Sequence, residues 1–237
     1  MPHRAVFFDF GGTLFSYAEV RPHFDRMLQK LARRHRISAP IEEIRQVYRR
    51  TVATRMAEFL PRPFYLHRDL FEEAEADLLT ALGAEPDEGN EPGLYMGQSE
   101  VGYAAVQPRD GVGETLTALR QRGLHLAIVS NIDEDQFHPL WDRLGLGPYF
   151  DAITTSEEAR SCKPHPGIYR HALGKAGDLA PEEVVFVGDS LEFDVAGANA
   201  MGMTTVLIVE PPSQAEGDED PDYVIETIPD LLQIIVA

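Results

Sequence analysis

Apolar residues follow two different rhythms along this chain. Short, nearly continuous apolar runs occur at 5–9, 124–129, 184–187 and 204–209, each followed by a polar or glycine-bearing stretch. Runs of that length without alternation are expected of parallel strands covered on both faces. Between them the apolar positions recur at helical spacing, which predicts helices over 112–122, 133–144, 166–176 and 191–201. Glycines close them at Gly123, Gly145, Gly177 and Gly202. Ala152–Thr154 reads as a short strand, Tyr223–Ile225 as an edge strand and Ile228–Val236 as a terminal helix. The acidic, proline-rich stretch Glu210–Pro221 reads as a surface loop.

From Ser16 to Val106 only the helical rhythm is present. Val20, Phe24, Met27, Leu28 and Leu31 share one face, and so do Ile41, Ile44, Val47, Tyr48 and Val52, with Pro40 in the first turn. Leu70, Phe71, Ala74, Leu78, Ala81 and Leu82 make a third helix, ended by Gly83. Glu85–Gly93 reads as a loop and Leu94–Val106 as helical. Strand alternating with helix predicts an α/β protein built on a doubly wound parallel sheet. The boundaries are 1–15 and 107–237 for that core and 16–106 for a helical insertion.

Composition adds constraints. At 237 residues, 43% hydrophobic and 25% charged, the chain can bury a core and carry an insertion. No apolar stretch is long enough to span a bilayer, and the N-terminus runs directly into a strand. The single cysteine, Cys162, excludes an intramolecular disulfide and a cysteine-rich zinc site. A reduced, cytoplasmic protein, monomer or homodimer, is the expectation. A formal charge of −18 argues against nucleic acid or an anionic membrane as partner. It leaves room for a small phosphorylated substrate, since salt screens a diffuse field within about 8–10 Å.

Candidate chemistry collects where strands end. Asp9 closes the first apolar run and is followed by Phe10-Gly11-Gly12-Thr13; Ser130-Asn131 follows 124–129. Lys163 lies in Ser161-Cys162-Lys163-Pro164, ahead of a helix, and Gly188-Asp189-Ser190 with Asp194 follows 184–187. In one parallel sheet these stand on one edge, where open α/β sheets hold ligands. The residue types suit phosphoryl transfer. A carboxylate can attack phosphorus, Mg²⁺ favours carboxylates and phosphate oxygens, and a lysine and a serine hydroxyl can hold phosphoryl oxygens.

In this order and with these intervening elements, the four clusters resemble the motifs of the haloacid dehalogenase superfamily. The resemblance covers about residues 4–15 and 107–209, and the helical block sits where members with an α-helical cap carry it. It implies a Rossmann-like core, a cap that closes over the site, and Mg²⁺-dependent phosphatase activity through an aspartyl-phosphate on Asp9. It also implies roles: Asp9 and Lys163 in catalysis; Thr13, Ser130, Asn131 and Lys163 on the substrate; Asp9, the Gly11 carbonyl, Asp189 and Asp194 around the metal.

One position departs from the pattern. Phosphatases of this superfamily usually carry a second Asp two residues after the nucleophile, as general acid and base, and here that position is Gly11. One reading is a phosphatase whose proton comes from water, the substrate or a cap residue such as His67. A second is different chemistry: 2-haloacid dehalogenation, or phosphonate hydrolysis with Lys30 as the only cap lysine. The third is a weak or inactive ligand-binding pseudoenzyme of the same fold.

Overall fold

The computed structural model describes residues 2–85, 93–97, 104, 106–177, 179–210 and 219–235. The chain divides into two compact units, one formed by Met1–Ser16 with Gln107–Ala237 and the other by Tyr17–Val106. In chain order the elements are β1 (Ala5–Phe8), α1 (Arg21–Arg34), α2 (Ile41–Phe59), α3 (His67–Ala81), α4 (Leu94–Gly97) and α5 (Val112–Gln121). There follow β2 (His125–Ser130), α6 (Glu134–Leu144), β3 (Ala152–Thr155), α7 (Ser156–Ala159) and α8 (Pro166–Lys175). The last are β4 (Val184–Gly188), α9 (Ala196–Met201), β5 (Thr204–Ile208), β6 (Tyr223–Ile225) and α10 (Leu231–Ile234).

The first unit is an α/β domain with one six-stranded sheet in the order β3-β2-β1-β4-β5-β6. Every pairing is parallel. The chain builds outward from β1 in one direction through β2 and β3, then returns and builds in the other through β4, β5 and β6. The strand order therefore reverses between β1 and β4, the position where doubly wound sheets open a crevice at their carboxyl ends. Phe8 stands level with Ile128 on one side and Val187 on the other, so Asp9 leaves the sheet beside Val129 and Gly188.

β1 is fully buried because both faces are covered. Ala5 and Phe7 join Ala127, Val129, Ile168, Tyr169 and Phe186 in one cluster. On the other face Phe8 meets Phe150 edge-on at 5.9 Å, and Phe10 lies 5.0 Å from Phe137 and 5.9 Å from Trp141. Each such apolar side chain contributes about 1.5–3 kcal/mol on burial, so the strand that delivers Asp9 is firmly anchored. The second unit has its own core, in which Met27, Leu28 and Leu31 of α1 meet Ile44 and Val47 of α2, Leu78 and Leu79 of α3, and Leu94. Its α2 and α3 are joined by Arg55, whose Nε and Nη2 reach the two oxygens of Asp77 at 2.6 and 2.8 Å.

Several elements differ from the sequence pattern. Pro40 is the residue before α2 rather than part of its first turn. β2 extends to Ser130 because that residue still pairs with Thr155. Helix α7 has no apolar periodicity and is started by the Thr155 side chain, which accepts from the Glu158 N–H at 3.0 Å. The stretch expected as a helix from 191 opens with a π-helical turn over Leu191–Val195. The C-terminal helix is a 3₁₀ turn over Ile228–Asp230 followed by α10, and Val236 lies outside the described residues. Of the expected loops, 86–92 and 211–218 lie outside the described residues, as does most of the stretch after α4. Among the described residues no helix is long and apolar enough to cross a membrane.

Candidate active site

Asp9 is one residue past the end of β1 and is held to the sheet by its own N–H, which donates to the Val187 carbonyl at 2.8 Å. The chain then turns sharply, with Gly12 at φ +86°. Only glycine takes that conformation without strain, and the position is crowded as well. A Cβ on Gly12 would overlap the Asp189 carboxylate. The glycine thus lets the carboxyl end of β4 approach the carboxyl end of β1.

Five of the residues singled out from the sequence meet directly. Asp9 Oδ1 accepts from Ser130 Oγ at 2.9 Å and from Lys163 Nζ at 2.6 Å. Lys163 Nζ also donates to Asp194 Oδ1 at 2.6 Å, and Thr13 Oγ1 donates to Asp9 Oδ2 at 3.3 Å. Asp9, Thr13, Ser130, Lys163 and Asp194 are all buried. Asp189 is exposed, and one ligand oxygen each from Asp9, Asp189 and Asp194 lies within 4.8 Å of the others.

Asn131 acts on the backbone. Its Nδ2 donates to the Lys163 carbonyl at 2.9 Å and its Oδ1 accepts from the Lys163 N–H at 2.7 Å. This two-point clamp fixes the chain of Lys163 against the end of β2. Asp194 is placed just as tightly, since its Oδ2 accepts from the Ser190 N–H at 3.0 Å. The π-helical turn that carries it is held by Ser190 Oγ on the Phe193 N–H at 3.1 Å. The buried Tyr169 hydroxyl donates to the Phe193 carbonyl at 2.7 Å. π-helical turns recur at functional sites, and here the extra residue brings Asp194 back toward Lys163. Gly188 makes room, because a Cβ there would overlap the Asp194 carboxyl. Gly188→Ala is expected to cost about 1–3 kcal/mol, the range for overpacking a closed site. A Tm that fell by less than a degree in a thermal melt would show that Asp194 can move aside.

The electrostatics follow from crowding. Three carboxylates face one ammonium, a formal charge of −2. Burial alone would lower the Lys163 pKa, but the charges of Asp194 and Asp9 outweigh it and raise it above the ordinary lysine value. Lys163 is therefore a fixed cation and a poor proton donor. Asp194 is raised by desolvation first; Lys163 opposes that shift and the Asp9 charge adds to it. Asp189 is raised by desolvation and then by the charges of Asp9 and Asp194. Since Asp189 is exposed, the charge contribution is the one that persists in water. An excess of hard oxygen donors and negative charge, with no compensating second cation in the cluster, is the donor set that suits a divalent ion such as Mg²⁺.

Sequence reasoning missed Tyr169 and Arg109, whose hydrogen bonds reach Phe193 and the Gly12 and Thr13 carbonyls across long stretches of chain. Tyr169 sits at a core position of a helix, and nothing in its spacing marks its hydroxyl.

A family model described as haloacid dehalogenase-like hydrolase matches residues 3–202. The chain is 31% identical to a glyceraldehyde 3-phosphate phosphatase of Methanopyrus kandleri over 98% of this chain and 97% of that protein. Among solved structures, a HAD phosphatase from Thermococcus onnurineus superposes with a TM-score of 0.70 at 26% identity, covering 98% of this chain and 97% of the other. The L-2-haloacid dehalogenase of Xanthobacter autotrophicus superposes with a TM-score of 0.73 at 27% identity, covering 98% of each chain.

Proposed function

The chain belongs to the haloacid dehalogenase-like hydrolases, and from that premise we propose that it is a Mg²⁺-dependent phosphatase of small phosphorylated metabolites. The observation that carries this reading is the three-carboxylate cluster around Asp9, bridged by the single buried Lys163. A site with a formal charge of −2 would repel a phosphate dianion unless a divalent ion joined it. Asp9, Asp189, Asp194 and the Gly11 carbonyl would hold Mg²⁺, which when bound neutralises charge between nucleophile and substrate.

The residues of the chain then divide the work. The Asp9 carboxylate attacks phosphorus, the bond to the ester oxygen breaks, and that oxygen leaves with the electron pair. Ser130 and Lys163 orient Asp9 and stand ready to hold the phosphoryl oxygens as charge spreads over them. Water then attacks the phosphorus of the aspartyl-phosphate, releasing phosphate and restoring the carboxylate. Thr13 steadies the turn, and Asn131 holds Lys163 in place. The inserted unit acts as a cap that selects the substrate, in a cytoplasmic enzyme. The Methanopyrus relative makes three-carbon sugar phosphates the first substrates to try.

The decisive assay is phosphate release from an aryl phosphate and a panel of phosphomonoesters including glyceraldehyde 3-phosphate, with and without Mg²⁺. Metal-dependent release upholds the reading. A second reading, 2-haloacid dehalogenation, is favoured by Gly11, because a halide leaves without a proton, and by the similarity to the Xanthobacter enzyme. Metal-independent halide release from 2-haloacids would establish it instead. Bound Mg²⁺ with neither activity would indicate a binding protein.

The raised carboxyls give this site a pH signature. A folded-state pKa above the unfolded value contributes stability that is full below the unfolded value and is lost as pH rises through the folded one. In the metal-free protein, the contribution of the two carboxyls should therefore begin to fade above about pH 4, with the Asp194 part gone by about pH 6 and the Asp189 part by about pH 8. Mg²⁺ binds the ionised form and restores it. The Tm gain from a fixed Mg²⁺ concentration should be larger at the upper end of that window than at the lower. An equal gain at both ends would mean that the ion binds elsewhere.

A further inference from the structure

We propose that Arg109 is the positioning residue for the turn that follows Asp9, an inference that rests on reading Asp9 as the nucleophile. Within the turn the Leu14 N–H donates to the Phe10 carbonyl at 3.0 Å, but the carbonyls of Gly12, Thr13 and Leu14 end on a distant residue. Gly11 and Gly12 contribute no side chains, and Gly12 sits at φ +86°. Yet its carbonyls need partners away from water. Arg109, which is 96 residues further along the chain, supplies them: its Nε donates to the Thr13 carbonyl at 3.0 Å and its Nη2 to the Gly12 carbonyl. Its backbone N–H donates to the Leu14 carbonyl at 2.8 Å. Three consecutive carbonyls of the turn thus end on one residue.

The third guanidinium nitrogen is also committed. Nη1 pairs with Glu210 Oε1 at 2.6 Å, just beyond β5, and only 17% of the Arg109 side chain is exposed. The guanidinium is therefore oriented from the sheet side and presents a rigid fork to the turn, a geometry a lysine cannot reproduce. A trans peptide points its C=O and N–H in opposite directions, so pinning the Gly12 carbonyl also pins the Thr13 N–H. The Arg109 fork thereby sets the peptide planes between Asp9 and Thr13, the residue that donates to the Asp9 carboxylate. A nucleophile misplaced by about 1 Å can lose about 10²-fold in rate.

The test combines hydrogen–deuterium exchange with steady-state kinetics on the full chain. In Arg109→Ala, amides in a peptide spanning the turn should exchange at least ~10-fold faster, while peptides from β1, β2 and β4 exchange as in the parent. On an aryl phosphate, kcat should fall about 10–100-fold with KM changed less than about threefold, the split expected when positioning rather than binding is lost. Arg109→Lys, which keeps the charge and one hydrogen bond, should recover folding stability but only a minor part of kcat. It decides the matter if the alanine variant fails to fold. Unchanged exchange in the turn, or faster exchange with kcat intact, would overturn the inference. If the parent itself hydrolyses nothing, the phosphatase reading falls, and the exchange data alone decide whether Arg109 holds the turn.

Discussion

Asp9→Asn should lower phosphate release by at least about 10⁴-fold at saturating Mg²⁺, in the range that removing a covalent nucleophile costs elsewhere. The substitution is nearly isosteric, so the amide oxygen can still accept from Ser130, whose Oγ lies 2.9 Å from Asp9 Oδ1. What disappears is the anion that the proposed mechanism requires at phosphorus, one of the three carboxylates proposed to hold the metal and one of the two paired with Lys163. Lys163 keeps Asp194 at 2.6 Å and so stays paired. The variant should therefore fold normally by circular dichroism while losing Mg²⁺ affinity, because it offers one fewer carboxylate. Residual turnover within tenfold of the parent would sink the covalent mechanism. It would point to direct attack by water, with Asp9 as a metal ligand only.

How much of this was legible in the sequence depends on how local each cause is. The strands were readable because burial on both faces leaves an unbroken apolar run, as in Ala5–Phe8 and Val184–Gly188. The convergence of Asp9, Ser130, Lys163 and Asp189 was readable for a related reason: each closes or follows a strand of one parallel sheet. The order β3-β2-β1-β4-β5-β6 was not readable, since the pairing of β1 with β4 links residues about 180 positions apart. The π-helical turn at Leu191–Val195 escaped because apolar periodicity alone favours a regular helix there. The contacts that shift it, from Ser190, Tyr169 and Lys163 onto Phe193 and Asp194, are side-chain contacts. Asn131 shows the limit of reading by residue type: its side-chain nitrogen and oxygen each bond the Lys163 backbone, 32 residues away, and no local pattern marks that pairing.

Gly11→Asp is the change expected to raise activity, and the size of the gain should depend on the leaving group. The side chains that donate to Asp9 are Thr13, Ser130 and Lys163. Hydroxyls are weak acids, and Lys163 is held in its charged form by two carboxylates. Under the proposed mechanism an alkoxide leaving group would take little help from these three, whereas an aryl oxide or a carboxylate would need none. An Asp at 11 would supply a donor, and a positioned general acid is worth about 10²–10⁴-fold. The left-handed position of the turn is Gly12 (φ +86°), so the new side chain is not placed on the residue where a Cβ would be strained. A further carboxyl beside Asp9, Asp189 and Asp194 should itself titrate high, as like charges disfavour ionisation, which keeps it protonated near neutrality and able to donate. Alkyl phosphates should gain by that factor and aryl phosphates by no more than a few-fold, so the slope of log kcat against leaving-group pKa should flatten. The alkyl rate should also acquire a new decline at high pH, where the added acid loses its proton. An equal gain on both classes, or none on either, would mean that the parent already takes its proton from another source.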